Sequence, residues 1–426
     1  MTVAVEIKGW CPGARRPMPS GDGLIVRVRP HGGTLSVTAL RELAEAARRY
    51  GNGQIDLTRR ANLQIRGVSP ETLVPLWEVM AALELLDDSA ELEAIRNIVI
   101  NPLAGLDPAE IADMRPMAAE LENLLAADHA LQALPAKFGF ALDGGGKLPL
   151  AGLAVDVHLQ ACGRTNESRV AIGVSRADGL LWLGTTAMAD APSAAAQLAR
   201  LVLTHGSARR AAALSSHEIA AVTAELGLDV SDEDEMASGD VSPCRLGVIP
   251  LTDLSCAVGL GAPFGRIESR TLAQLADLLA GYGMSDVRLS PWRTLYVAAD
   301  RSIAEALVAD AAGLGLIVDD ADALMRIDAC SGVGCCASTE LATREHARAL
   351  AGAMARTAFT GTLHVSGCAK GCARSAPADV VLVGDGELYR IVRNGTVKSE
   401  SRGMLDPSSL DATGNGLFET RESVHV

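Results

Sequence analysis

Residues 40–66 read LRELAEAARRYGNGQIDLTRRANLQIR, and residues 272–298 read LAQLADLLAGYGMSDVRLSPWRTLYVA. They align without a gap at a constant offset of 232 residues. Leu40 meets Leu272, Leu43 meets Leu275, Ala44 meets Ala276, Tyr50-Gly51 meets Tyr282-Gly283, Leu57 meets Leu289 and Leu63 meets Leu295. Each copy opens with apolar residues three and four apart, the period of an amphipathic helix. Each then turns at a glycine into an alternating strand, Gln54–Leu57 or Asp286–Leu289, and a second strand is expected over 62–68 and 294–298. An acidic, serine-containing stretch, 231–242, reads as the linker between the halves. The pattern predicts a duplicated α+β architecture whose pseudo-two-fold halves hold a ligand between them.

The copies differ in their polar residues. The first carries Arg27, Arg29, Arg59, Arg60, Gln64 and Arg66, whereas the positions of Arg59, Arg60 and Gln64 hold Pro291, Trp292 and Tyr296 in the second. Positions that build the fold are kept and the basic ones are not, so these arginines serve a ligand. A guanidinium is a planar fork of donors matched to carboxylates, and several on one element imply a polyanion.

Near the C-terminus, Cys330 and Cys336 form a C-x5-C clip, and Cys368 and Cys372 a C-x3-C clip, with 31 residues between them. Four soft thiolates in two glycine-flanked clips suit an iron–sulfur cluster. Zinc clips usually leave two to four residues between ligands. Cys335 adjoins Cys336, and spacing alone does not choose between them. Cys11, Cys162, Cys244 and Cys256 are isolated and read as structural or incidental.

Composition bounds the class. A chain of 426 residues with 48% hydrophobic and 21% charged residues is globular with two to four domains, and with 3% aromatics its cores must rest on Ala, Leu and Val. The net charge of −14 argues against nucleic acid as a partner. No stretch reads as a signal peptide and no run of about eighteen apolar residues suggests a membrane span. Nine cysteines without a disulfide pattern fit a reducing, cytoplasmic setting.

These residues resemble the nitrite and sulfite reductase family. LTRRANLQIRGV (57–68) is similar to its Thr-x-Arg-x-x-x-Gln signature, placing Arg60 and Gln64. IRNIVINPLAGLDPAE (95–110) resembles its Arg-Asn…Asn-Pro-Leu-Ala-Gly segment, placing Arg96 on an anion-pocket arginine. LPAKFGF (134–140) looks like the loop with a pocket lysine, here Lys137, and Arg29 matches the arginine before a glycine pair, Gly32-Gly33. The resemblance implies a duplicated α+β fold around a tetrapyrrole beside a 4Fe–4S cluster, and it prefers Cys336 to Cys335 as a ligand. It divides the chain into a first ferredoxin-like repeat (1–88), a first reductase-like domain (89–230), the linker (231–242), a second ferredoxin-like repeat (243–325) and an iron–sulfur domain (326–426).

One departure redirects the functional expectation. Where the reductases carry a second lysine or an asparagine, this chain has Gly139, which neither donates a proton nor holds an oxyanion. The segment WCPGARRPMPSGDGLIVRVRPHGG (10–33) and the clip SGCAKGCARSAPAD (366–379) resemble the precorrin-3B synthase branch. That branch implies a monooxygenase of aerobic cobalamin biosynthesis. It hydroxylates precorrin-3A with dioxygen, closes a ring-A acetate as a lactone, and takes electrons from an external donor or reductase through the cluster. Arg27, Arg60 and Gln64 would then bind substrate carboxylates, and Arg29, Arg96 and Lys137 would line the reacting face. A mononuclear non-heme iron is a further implied cofactor, with His31, His158, His205, His217 and His364 as candidates by residue type only. The alternatives are a siroheme-dependent nitrite or sulfite reductase and, from another class, a non-catalytic iron–sulfur electron carrier.

Overall fold

The computed structural model describes residues 11–163, 168–176, 178–205, 209–229, 244–410, 414 and 416–418. The expected linker 231–242 lies outside the described residues. The first repeat comprises β1 (Met18–Ser20), β2 (Gly23–Val28), β3 (Thr34–Ser36), α1 (Val37–Tyr50), β4 (Gln54–Leu57), β5 (Leu63–Val68) and α2 (Pro70–Ala82). A larger unit follows, with α3 (Ala90–Ile95), β6 (Ile98–Ile100), α4 (Arg115–Ala127), β7 (Phe140–Asp143), β8 (Val157–Cys162), β9 (Arg169–Arg176), β10 (Gly179–Ala187), α5 (Ala191–His205) and α6 (Ser216–Leu226). The second repeat has β11 (Gly247–Pro250), β12 (Ser255–Gly261), β13 (Arg266–Glu268), α7 (Ser269–Gly281), β14 (Asp286–Leu289), β15 (Thr294–Asp300) and α8 (Arg301–Gly313). The last unit has β16 (Ile327–Ala329), α9 (Thr343–Arg356), β17 (Leu363–Ser366), β18 (Ala378–Asp385), β19 (Leu388–Gly395) and β20 (Gly403–Leu405).

The repeat is real, and its local chemistry explains it. Ser36 caps α1 by accepting from the Ala39 amide at 3.0 Å. Leu40, Leu43, Ala44 and Ala47 then fall on one buried face, as Leu272, Leu275, Ala276 and Leu279 do in α7. Tyr50 ends α1, and the next residue must be glycine: a Cβ on Gly51 would stand 2.4 Å from the Arg66 carbonyl oxygen. The strands expected over 62–68 and 294–298 form as Leu63–Val68 and Thr294–Asp300.

The two repeats are interlocked. Their sheets run β1-β2-β5-β4-β13 and β11-β12-β15-β14-β3, so each takes its fifth strand from the other repeat. Ile267 pairs with Ile55, and Val287 with Leu35. The exchange crosses the expected division between 1–88 and 243–325. One apolar core runs through both halves, from Leu40 and Leu43 to Leu272 and Leu275, with α1 packed on α7.

The larger units repeat as well. Their sheets run β10-β9-β8-β7-β6 and β16-β17-β18-β19-β20. In both, three parallel strands are followed by two antiparallel ones. Each has its own core. The cysteine clips follow β16 and β17, at the C-terminal ends of parallel strands, and the second clip lies in the connection to β18. Among the described residues no helix is long and apolar enough to cross a membrane.

Candidate functional site

Arg27 on β2, Arg29 just beyond it and Arg60 in the β4–β5 turn come together. That turn is pinned by Thr58, whose Oγ1 accepts from the Arg60 and Asn62 amides, both at 3.2 Å, while Ala61 takes the left-handed conformation at φ 51°. The threonine of the signature therefore shapes the turn that aims the arginine. Gln64 on β5, with its amide oxygen facing Arg27, accepts from Nη2 at 2.8 Å and Nε at 3.3 Å.

The guanidinium charges exceed their partners. Nη1 of Arg27, Nε and Nη1 of Arg29, and Nη1 of Arg60 are buried without a hydrogen-bond partner among the described residues. Arg29 Nε stands 4.0 Å from Glu93, outside hydrogen-bonding range. Burial, reinforced by Arg29 and Arg60, pulls Arg27 down to about 10. Burial also lowers Arg29 and Arg60. Arg29 keeps an ion pair with Glu93, whereas Arg27 and Arg60 have no carboxylate within 4.0 Å among the described residues; such buried charge is destabilising, and incoming carboxylates would relieve it. Beside them Cys11, Arg29 and Glu93 line a cavity of about 250 Å³.

Two expected residues sit differently. Arg96 donates to both oxygens of Asp87 at 2.8 Å and to the Arg29 carbonyl at 2.8 Å, so its charge is already matched. Burial would lower it, but Asp87 and Glu122 outweigh that and raise it. Lys137 is exposed, and its carbonyl accepts from Arg60 Nη2 at 2.8 Å. Gly139 is buried, and a Cβ there would lie 3.2 Å from the Asn97 carbonyl oxygen.

The second half has no equivalent basic face. At the same offset Arg27, Arg29, Arg60 and Gln64 meet Gly259, Gly261, Trp292 and Tyr296. A Cβ on Gly259 would stand 2.1 Å from the Arg245 carbonyl oxygen, so no arginine fits there. Tyr296 is fully buried, with Trp292 packed in the same apolar cluster. Aromatic rings thus fill what guanidiniums line in the first half. A separate cavity of about 760 Å³ lies between the second repeat and the last unit, lined by Arg59, Trp292, Arg293, Asp328 and Arg374 among others. Asp328 accepts there from Arg59, from Arg293 at 3.2 Å and from Arg374 at 3.1 Å.

The cysteine clips are built for sulfur. Gly332 and Gly371 turn the backbone at φ 71° and 62°. The Gly367 amide donates to Cys330 Sγ at 3.2 Å and the Ser338 amide to Cys336 Sγ at 3.4 Å. Burial raises the Cys372 thiol, and the charges of Cys368, Cys330 and Cys336 raise it further. Four thiol donors on two glycine-turned loops, with backbone amides aimed at two of the sulfurs, are a donor set that suits a cluster. Cys335 belongs to a different set: its sulfur accepts from Arg266 Nη1 at 3.4 Å.

The candidate histidines are dispersed. His31 meets Glu122 at 2.6 Å, and His158 meets Ser175 at 3.0 Å within the sheet. His205 ends α5, His217 is exposed on α6, and His364 is fully buried on β17 with neither ring nitrogen partnered among the described residues. Among the described residues no three His, Cys, Asp or Glu side chains converge on a single ion. These histidines do not fit a mononuclear iron.

Residues 16–83 match the family described as nitrite/sulfite reductase ferredoxin-like half domain, and residues 91–284 match the nitrite and sulphite reductase 4Fe-4S domain. The second match ends before the first of the four clip cysteines, which lie in the duplicate of the matched topology. A precorrin-3B synthase from Sinorhizobium sp is 32% identical over 96% of this chain and 88% of its own length. Sulfite reductase (ferredoxin) 2 from Mycolicibacterium paratuberculosis is 26% identical over 85% of this chain and 71% of its own length. The solved structure of the Mycobacterium tuberculosis NirA protein superposes with a TM-score of 0.73 at 22% identity, covering 91% of this chain and 78% of that one. With a relative of that identity spanning nearly its whole length, the chain belongs to the nitrite/sulfite reductase family, is a homologue of precorrin-3B synthase and is an oxidoreductase.

Proposed function

We propose that the protein is a precorrin-3B synthase-type monooxygenase of cobalamin biosynthesis, acting on precorrin-3A with dioxygen and electrons from an external donor. The observation that carries this reading is the set of guanidinium donors on Arg27, Arg29 and Arg60 that are buried without a partner among the described residues. A macrocycle with many acetate and propionate arms supplies the carboxylates such donors need. Each desolvated charge-assisted contact contributes about 1.5–3 kcal/mol.

In this reading Arg27, held by Gln64, and Arg60, held by its pinned turn, grip substrate carboxylates. Arg29 faces the reacting edge beside the small cavity with Cys11 and Glu93. Arg96 holds Arg29 in place through its carbonyl, and Lys137 anchors Arg60 through its own. Cys330, Cys336, Cys368 and Cys372 would hold a 4Fe–4S cluster, which when bound supplies electrons one at a time. No step is assigned to a mononuclear iron. Gly139 supports the monooxygenase over a siroheme-dependent sulfite or nitrite reductase, because it places no second cation beside Lys137.

An absorption spectrum of protein purified under argon tests the reading. A broad iron–sulfur shoulder without a Soret band supports it. A Soret band, meaning retained siroheme, would favour the reductase.

A further inference from the structure

Cys335, set aside from the sulfur quartet, is tethered by side chains from the two ferredoxin-like repeats. Its carbonyl oxygen accepts from Ser20 Oγ at 2.8 Å and from Arg66 Nη2 at 3.0 Å, and its sulfur accepts from Arg266 Nη1 at 3.4 Å. The three donors come from three places: the end of strand β1, strand β5 and the exchanged strand β13. The β1–β2 turn also presses on this loop, since a Cβ on Gly21 would lie 2.9 Å from the Ala337 nitrogen.

Asp56 on β4 gathers the two arginines among these donors. It accepts from Arg266 Nε at 2.7 Å and Nη2 at 2.9 Å and from Arg66 Nη1 at 3.4 Å, and it stands 3.6 Å from Arg344 of α9. Asp22 completes the hold on Arg66 with contacts of 2.9 and 2.7 Å. Burial alone would raise the Asp56 carboxyl. Hydrogen bonds from Arg266 and the charges of Arg344, Arg266 and Arg66 instead bring it down to about 2. The carboxylate is therefore ionised at any working pH and holds three guanidiniums in one geometry.

The direction of the network gives it meaning. Arg66 lies two residues beyond Gln64 on β5, so the two share a face of the sheet. That face also carries Arg27, which pairs across with Gln64. The same strand that grips the carboxylates at one end thus fastens the cysteine loop at the other.

We propose that Asp56, with Arg66 and Arg266, is a positioning group for electron delivery, fixing the Cys335 segment and the adjacent Cys336 against the ligand-binding face of the first sheet. The network makes and breaks no bond. It sets the distance across which electrons from the external donor pass, and in that respect it rests on the function proposed above.

Asp56→Asn and Arg266→Lys test it, the second keeping its charge should the first fail to fold. Both are loaded with iron and sulfide, and amide hydrogen exchange over residues 332–337 is read together with reoxidation of the dithionite-reduced protein by dioxygen in the presence of precorrin-3A. The expected result is full iron content, macrocycle affinity within about twofold of the parent, exchange about tenfold faster and reoxidation about tenfold slower. Unchanged exchange and reoxidation in a folded variant would overturn it, as would loss of iron from both. If the parent protein binds no macrocycle, the functional reading falls, whereas the exchange result still decides whether the loop is tethered this way.

Discussion

Arg60 donates from Nη2 to the carbonyl oxygen of Lys137 at 2.8 Å, while its Nη1 is buried with no partner among the described residues. One half of the guanidinium fixes its direction and the other half is free for a ligand. Arg60→Ala is expected to weaken macrocycle binding about ten- to a hundredfold, about 1.5–3 kcal/mol. An equilibrium titration followed by absorbance measures this, and equal affinity in the variant would show that Arg60 does not touch the ligand.

The cysteine set makes a sharper prediction. Cys368→Ser and Cys372→Ser should each lose the cluster, because three thiolates hold it poorly. Cys335→Ser should keep it, since that sulfur faces Arg266. Iron and acid-labile sulfide analysis decides; full iron in the first two variants, or its loss in the third, would refute the assignment.

Gly139→Ala is expected to destabilise the protein by about 1–3 kcal/mol, because the new Cβ meets the Asn97 carbonyl oxygen at 3.2 Å in a buried strand entry. Denaturant unfolding measures the change. A variant as stable as the parent would mean that the site has room, and the case against a second pocket cation would weaken.

His158 is kept neutral by burial, which pulls it from 6.5 to about 4. A depressed histidine means that the unfolded chain takes up the proton first. Its contribution to stability is full above pH 6.5 and is lost as the pH falls toward 4. The melting temperature should decline across that window, and His158→Asn should flatten the decline. His364, lowered to about 4 by the same cause, should account for part of what remains. An identical profile in both proteins would exclude His158.

Much of the first repeat is legible in the sequence because its signals are local. The spacing of Leu40, Leu43 and Ala44 gives the helix, and Tyr50-Gly51 gives the turn. The exchange of β3 and β13 is not legible, since strands of three residues carry no period and their partners lie in the other repeat. The duplication of the larger units is hidden because their offset drifts, from 229 between Ile98 and Ile327 to 223 between Phe140 and Leu363. At the site, the contrast of Arg60 and Gln64 with Trp292 and Tyr296 points to the basic face. The same offset sets Arg27 and Arg29 against Gly259 and Gly261, a signal that was there to be used. The pairing of Arg96 with Asp87, the exposure of Lys137 and the gathering of arginines on Asp56 depend on packing between distant segments, which residue type does not report.

The central claim is that a carboxylate-rich macrocycle is the substrate and dioxygen the oxidant. Turnover of precorrin-3A by the argon-purified, iron-loaded protein with a reductant and isotopically labelled dioxygen, read by mass spectrometry, tests it most directly. The expected product is precorrin-3B carrying one labelled oxygen atom, with the other atom in water. Unconsumed precorrin-3A from a preparation that reduces sulfite or nitrite would contradict it.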